Sequence, residues 1–427
     1  MTKRSFTIDL TALYEDCDEE QQTAGTVTEK QHHTTASKAG PATARAGGPA
    51  AAAKKASVAP PAKASAAKSP AEKAPKRVRS QIEIDAARTQ WDHDTTHLTA
   101  KNVTEAEKIL EKWGVAIVPD LLDGERCDKM VSGMWDWLEL KAPGLDRNNT
   151  ETYKAVMSLL PLHGMLHQHW GAGVAPFAVD VRQDTDVMGF FAGLWRCQEE
   201  FLLSSLDGFS AVNMPEHKAG TTYRGDNGWL HLDQSPARNA HECWQGFVTG
   251  TDTERGDATL VVLAGSHLLH REFAEAWRGQ WKDQDWNKLT DDQIKWYLDR
   301  GCMRIAVTAP RGSLVLWDSR TVHAGQSPMA GRANPKPRCV VYTCFMPRAL
   351  AKREDIIRKA QGFLNGETAS HWAARHVKFA AKPNAFMMHQ PLPDPLPPAA
   401  PRPQLTPLGI RIFGLDTLDR KIVPDRD

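Results

Sequence analysis

The chain has no CxxC pair, and its seven cysteines, at 17, 127, 197, 243, 302, 339 and 344, are odd in number and scattered. A disulfide framework and a structural zinc site both need paired cysteines at set spacings, so neither is expected. No stretch approaches the roughly 18 apolar residues that a membrane span requires. The opening MTKRSFTIDL lacks the apolar run of a signal peptide, and an intracellular location, cytoplasmic or nuclear, is the expectation. Aromatic residues are missing from 26–80 altogether, and all fourteen tryptophans lie beyond residue 90. A segment so poor in apolar surface cannot offset its chain entropy, so 26–80 is expected to be disordered and the folded part to begin near residue 90. Acid is nearly absent between Lys30 and Arg79. Eleven basic residues there face the single Glu72, a net charge of +10, so in a chain of +1 overall the remainder carries −9. Such a basic segment reads as a solubilising tether, as a nuclear import signal around Lys76-Arg77, or as a weak phosphate-contacting patch over residues 30–79.

Beyond residue 90 the chain has the texture of a folded enzyme. Thr104 with Glu107 is read as a capping box opening a helix that Gly114 stops, with a strand at Val115–Val118 beyond it. Asp123 starts a second helix, and 150–210 reads as mostly helical with irregular pieces. From 210 to 347 short apolar runs alternate with turns: Trp229–Asp233, Trp244–Val248, Thr259–Leu263, Met303–Val307, Ser313–Trp317 and Cys339–Phe345. Helices around 271–281 and 291–299 interrupt them. Many short strands with framing helices predict a mainly β fold, a distorted sandwich or barrel. A helix to about Asn365 and a proline-rich surface strap over 390–406 complete the chain.

His231-Leu232-Asp233 is the local motif that carries chemistry. In a strand, positions i and i+2 face the same way, so both side chains can reach one ion. A second histidine, His323, follows the strand at Ser313–Trp317. Two imidazoles and one carboxylate leave three positions open on an octahedral ion, which suits iron(II) working with a chelating 2-oxo acid and dioxygen. Arg338 opens the next strand, and a guanidinium there can grip a distal carboxylate in bidentate fashion. Arg332 is the competing arginine, but it sits in a Gly- and Pro-punctuated loop and is expected to be solvated.

His231-Leu-Asp233, Ala264-Gly-Ser-His267, His323-Ala-Gly325 and Arg338, in that order, resemble the phytanoyl-CoA dioxygenase family of iron(II)/2-oxoglutarate oxygenases over roughly residues 100–350. The resemblance implies a double-stranded β-helix (jelly-roll, cupin-like) core. It implies a dioxygenase that hydroxylates a small-molecule or acyl substrate, releasing succinate and CO2, with iron(II), 2-oxoglutarate and O2. His231, Asp233 and His323 would be the catalytic metal ligands. Related halogenases replace the carboxylate, so Asp233 favours hydroxylation. Several members carry a hydroxyl where Gly325 stands here, and Ser327 is the candidate replacement. Trp244 is either a wall of the cosubstrate pocket or core. Tyr223, Arg224 and Trp229 are candidate substrate contacts. The implied organisation is a tail over 1–90, an oxygenase domain over 91–350, and a C-terminal helix and strap over 351–427.

Two other readings compete. In the histidine cluster His163, His167 and His169, positions i and i+4 of a helix, His163 and His167, could bind zinc; the alternative is a structural or substrate-side role. The fold could also serve as a non-catalytic binding scaffold, or as an oxygenase tethered to nucleic acid by its basic segment; intact ligand residues argue against the scaffold.

Overall fold

Twelve strands run through the described residues: β1 Val115–Val118, β2 Leu166–His167, β3 Leu202–Ser204, β4 Phe209–Val212, β5 His231–Leu232, β6 Trp244–Thr249, β7 Thr259–Ala264, β8 Asn287–Lys288, β9 Met303–Ala306, β10 Leu314–Asp318, β11 His323–Gln326 and β12 Arg338–Pro347. They form two antiparallel sheets. One is ordered β1-β10-β6-β12-β4-β2, with β3 also on β12, and the other β8-β5-β11-β7-β9. This is a computed structural model, and it describes residues 79–418 apart from 226–227, 333 and 385–390. The acidic lead and almost all of the basic segment therefore lie outside the described residues.

The sheets face each other over an apolar interior of Phe247, Val315, Trp317 and Val340 on one side and Leu260, Val262, Ile305 and Val307 on the other. β7 and β10 are buried at every position, on both their faces, so their apolar residues run consecutively rather than alternating. A second cluster covers the outer face of the smaller sheet. There Phe273 from the helix His270–Ala276 and Ile294, Tyr297 and Leu298 from the helix Asp291–Leu298 pack on Leu230, Val261 and Leu263. The fold class is as expected: mainly β with framing helices and a double-stranded β-helix core, its two sheets open rather than closed into a barrel.

Order starts earlier than the expected residue 90. The helix Gln81–Thr89 carries a complete capping box from Ser80 and Glu83. Trp91 behind it is buried in the outer cluster, and Gln90 pairs with the edge strand: Ala306 N–H donates to its carbonyl at 2.8 Å, and Arg304 Nε donates to its side chain at 2.8 Å. The cap of the following helix, Val103–Trp113, is Asn102, whose side chain accepts from Glu105 N–H, in place of the Thr104–Glu107 box. Gly114 ends that helix at φ +74°, and a Cβ there would lie 2.5 Å from His267 Nδ1, so the close approach admits glycine alone. The Gly114 carbonyl holds the loop before β11: Thr321 Oγ1 donates to it at 2.9 Å and Asp318 N–H at 3.0 Å.

The chain beyond Pro347 returns to the sheets. The helix Arg353–Leu364 is followed by a segment whose Trp372, Ala373 and Ala374 pack on Leu203, Cys344 and Met346. That segment is pinned at both ends: Ala369 N–H donates to Leu206 O at 2.7 Å, and Phe379 N–H to Thr368 O at 2.8 Å. The proline-rich stretch has no regular structure. Gln183 Nε2 donates to Gln404 O at 2.9 Å, and a short helix, Pro407–Ile412, capped by Thr406, comes after it.

Candidate metal centre

His231 and His323 stand directly opposite each other on the neighbouring antiparallel strands β5 and β11. Directly paired residues on one face have close Cβ atoms, so the rings meet, with centroids 4.4 Å apart. Each ring is turned by its own backbone. His231 Nδ1 lies 3.0 Å from Trp229 O and His323 Nδ1 2.9 Å from Thr321 O, so both Nδ1 positions carry the proton and both Nε2 atoms are left as acceptors. Asp233, just past β5, meets them: His231 Nε2 is 3.3 Å from one carboxylate oxygen and His323 Nε2 3.4 Å from the other. The three ligand atoms lie within 4.8 Å of one another, the one such His/Cys/Asp/Glu group among the described residues.

Neighbours hold the group in place. Gln245 Nε2 donates to Asp233 at 2.8 Å. Trp229 stacks on His231 at 4.7 Å and on His163 at 3.8 Å, so three rings form a parallel column. Burial alone would raise the Asp233 carboxyl, but His231, His371 and His323 outweigh it and hold the acid well below the usual carboxylate range. Burial pushes the His231 imidazole below its usual value even against the pull of Asp233. An ionised carboxylate beside two imidazoles whose Nε2 atoms are turned toward it is the donor set a divalent first-row metal requires.

These residues floor a cavity of about 530 Å³ between the sheets. Arg338 is on its wall, 5 % exposed, and faces the Phe247 ring at 5.5 Å. One guanidinium nitrogen donates to Ala258 O, while Nε is buried without a partner. Arg338 has no ion pair among the described residues; the acid whose charge reaches it, Asp257, is bridged by Arg332. A buried cation lacking an anion is costly, and a ligand carboxylate arriving in the cavity removes that cost. Arg338 nevertheless does not sit on the strand beside His323. β12 belongs to the other sheet, next to β6 and β4, because residues 327–337 carry the chain across. Arg332 is not solvated either: its side chain is 5 % exposed and bridges Asp257 at 2.6 Å and Glu216 at 2.9 Å.

Other expectations need correction. Trp244 is turned away from the cavity and rests on His241, with ring centroids 3.9 Å apart. Alternation along β6 brings Gln245 and Phe247 to the cavity instead, and a glutamine inside a buried strand was the signal for it. Ser327 hydrogen-bonds Thr221 at 2.7 Å and lines, with Tyr223 and Arg224, a separate side cavity of about 220 Å³. Trp229 borders both cavities. His163, His167 and His169 do not lie on one helix face. His163 is in a turn at φ +53°, His167 packs against Trp137 and Phe209, and His169 Nδ1 is 2.7 Å from Ala380 O. The Ala264-Gly-Ser-His267 run is a brace: Val322 N–H donates to Ser266 Oγ at 2.9 Å and His267 Nε2 meets Glu111 O at 3.0 Å.

Sequence reasoning missed a whole wall. Ser370, His371, Trp372, Val377 and Phe379 line the cavity from the C-terminal segment, and His371 Nδ1 stands 3.7 Å from Asp233. Asp207, in the turn between β3 and β4, lines it too. No local pattern marks either; only the return of the chain brings them in.

Two facing antiparallel sheets with a two-histidine, one-carboxylate group between them define the iron(II)/2-oxoglutarate oxygenase class. The sequence profile of the phytanoyl-CoA dioxygenase (PhyH) family matches residues 110–329, just over half of the chain. The chain belongs to that family. It is 28% identical over 271 residues to the Ava biosynthesis cluster protein O of Aspergillus versicolor, which covers 62% of this chain and 84% of that protein. Among solved structures, the GlcNAc-inducible gene 2 protein of Candida albicans is 12% identical, with TM-score 0.45, covering 80% of this chain and 88% of that one. The epimerase SnoN, solved with Fe3+, alpha-ketoglutarate and nogalamycin RO, is 14% identical, with TM-score 0.39, covering 58% and 84%. No helix among the described residues is long and apolar enough to cross a membrane.

Proposed function

We propose that the chain is an iron(II)- and 2-oxoglutarate-dependent dioxygenase that hydroxylates a small molecule. The observation that carries this is the convergence of His231 Nε2, Asp233 and His323 Nε2 at the floor of a cavity whose wall holds Arg338 without an acid partner. His231, Asp233 and His323 would hold the iron, and Arg338, with the Tyr342 hydroxyl beside it, would receive the distal carboxylate of 2-oxoglutarate. Iron(II) with 2-oxoglutarate supplies the oxidation of a substrate C–H bond by dioxygen, with succinate and CO2 as co-products.

The protein's own contribution is placement and exclusion of water. The two Nδ1 hydrogen bonds fix which imidazole nitrogen faces the ion, and Gln245 fixes the carboxylate. Trp229, Trp286, Trp317, Trp372 and Phe379 make the rest of the cavity largely apolar, which suits a small organic substrate. The relative named for a biosynthesis cluster accords with such a substrate. Conversion of 2-oxoglutarate to succinate that requires added iron(II) tests the reading. Turnover that continues unchanged in a folded His231→Ala chain would sink it.

A further inference from the structure

Among the described residues lining the cavity, Asp207 is the acid whose carboxyl has neither a side-chain hydrogen bond nor an ion pair. Asp233 belongs to the metal group, and Asp285 is bridged by Arg238 and Arg375. Asp207 has only the N–H of its own neighbour Gly208, at 2.7 Å, and no ion pair among the described residues. The nearest guanidinium, Arg182, is fully buried and spends its donors on the carbonyls of Gly173, Asp207, Gly208 and Tyr342. Asp207 is partly buried and lines the cavity. Burial pushes its carboxyl up to about 7 against the pull of Gly208 N–H and the Arg182 guanidinium, and the Asp233 carboxylate on the same cavity adds to the rise.

The charge balance of the filled site points the same way. Arg338 is the only Lys or Arg on the cavity wall among the described residues. With a divalent ion, the 2-oxoglutarate dianion, Asp233 and Arg338 in place, the positive and negative charges on the wall cancel, so no cation of the wall is left for an anionic substrate, while Asp207, with Arg182 behind it, still has no ion pair of its own. The remaining lining is dominated by aromatic rings. A coenzyme A thioester would bring several phosphate charges to a cavity with no cation to spare.

We propose that Asp207 anchors the substrate, and that the substrate is a largely apolar molecule bearing one hydrogen-bond-donating group, a protonated amine above all, rather than an acyl-CoA. This rests on the cavity being the substrate site of the oxygenase. An amine brought to Asp207 exchanges an isolated buried carboxyl for a charge-assisted pair, and the aromatic walls take its apolar body.

The test is equilibrium binding, measured by calorimetry on the full chain without added metal, so that it does not depend on turnover. The probes are 4-phenylbutylamine, 4-phenylbutan-1-ol, 4-phenylbutan-2-one, which only accepts hydrogen bonds, and octanoyl-CoA; none has a free carboxylate for Arg338. The amine should bind tightest, the alcohol next and the ketone weakest, with about tenfold or more between the first and last, the size of one hydrogen bond to a charged group. Asp207→Asn keeps an oxygen for Gly208 N–H and should abolish the amine preference, whereas Asp233→Asn should keep it. The ranking in the parent chain needs no variant to be read. No saturable amine binding, equal binding of amine and ketone, tightest binding of octanoyl-CoA, or a preference lost in Asp233→Asn but kept in Asp207→Asn would each overturn the proposal. Succinate formation in the same preparation reports the oxygenase reading separately: succinate without amine preference fails the anchor alone, and amine preference without succinate fails the reading alone.

Discussion

The two arginines after His323 show how burial separates residues that look alike in sequence. Arg338 faces the cavity with an unpartnered Nε, and Arg332 is consumed by Asp257 and Glu216. Arg338→Ala is expected to weaken 2-oxoglutarate binding by about 2–4 kcal/mol, the loss on leaving a buried charge unpaired. A 2-oxoglutarate titration checks it, and a cosubstrate lacking the distal carboxylate should suffer little from the change. Arg332→Ala strands the buried Asp257 and should instead lower the melting temperature, at a cost of about 3 kcal/mol, while the 2-oxoglutarate requirement stays at the parent level. Gln245→Met removes the hydrogen bond that orients Asp233 and should weaken metal binding about 10- to 100-fold, read by metal titration. The ligand triad was legible because HxD places two side chains on one face of a strand. Gln245 was not, because the face that β6 turns inward depends on its register against β10 and β12.

Elements whose apolar residues recur at regular spacing were legible, and those whose burial depends on distant partners were not. The helix Gln81–Thr89 comes after an Ala/Lys/Pro-rich run, and its anchors, Gln90 and Trp91, reveal themselves only against the edge strand and the outer cluster. Trp91→Ala should therefore destabilise the fold by about 3–5 kcal/mol in a denaturant melt, despite its place at the margin of the basic segment. In the helix Arg353–Leu364, Lys359 is 1 % exposed and its Nζ has no partner. Burial pulls its ammonium down to about 7. Between that value and its ordinary 10.5, the unfolded chain holds a proton that the folded chain lacks, so stability rises with pH across the window and the penalty is full below it. Lys359→Met should raise stability by on the order of 3 kcal/mol near pH 6.5 and by much less near pH 10, checked by melts at the two pH values.

At the scale of the molecule, the second sheet and the C-terminal return complete a site that the matched family segment only begins. Residues 110–329 contain all three metal-group side chains, while Arg338 and the wall from Ser370 to Phe379 lie beyond it. The two-sheet core was readable from strand length and turn spacing. The crossing of residues 327–337 from one sheet to the other, which sets Arg338 opposite the metal group, was not, since strand order leaves no local trace. Anaerobic titration of the full chain with iron(II), then with 2-oxoglutarate, tests the central claim most directly. The account predicts one iron bound per chain, 2-oxoglutarate binding that requires it, and loss of both in Asp233→Ala with the circular-dichroism spectrum unchanged. Iron binding of parental strength in the Asp233→Ala chain would contradict it.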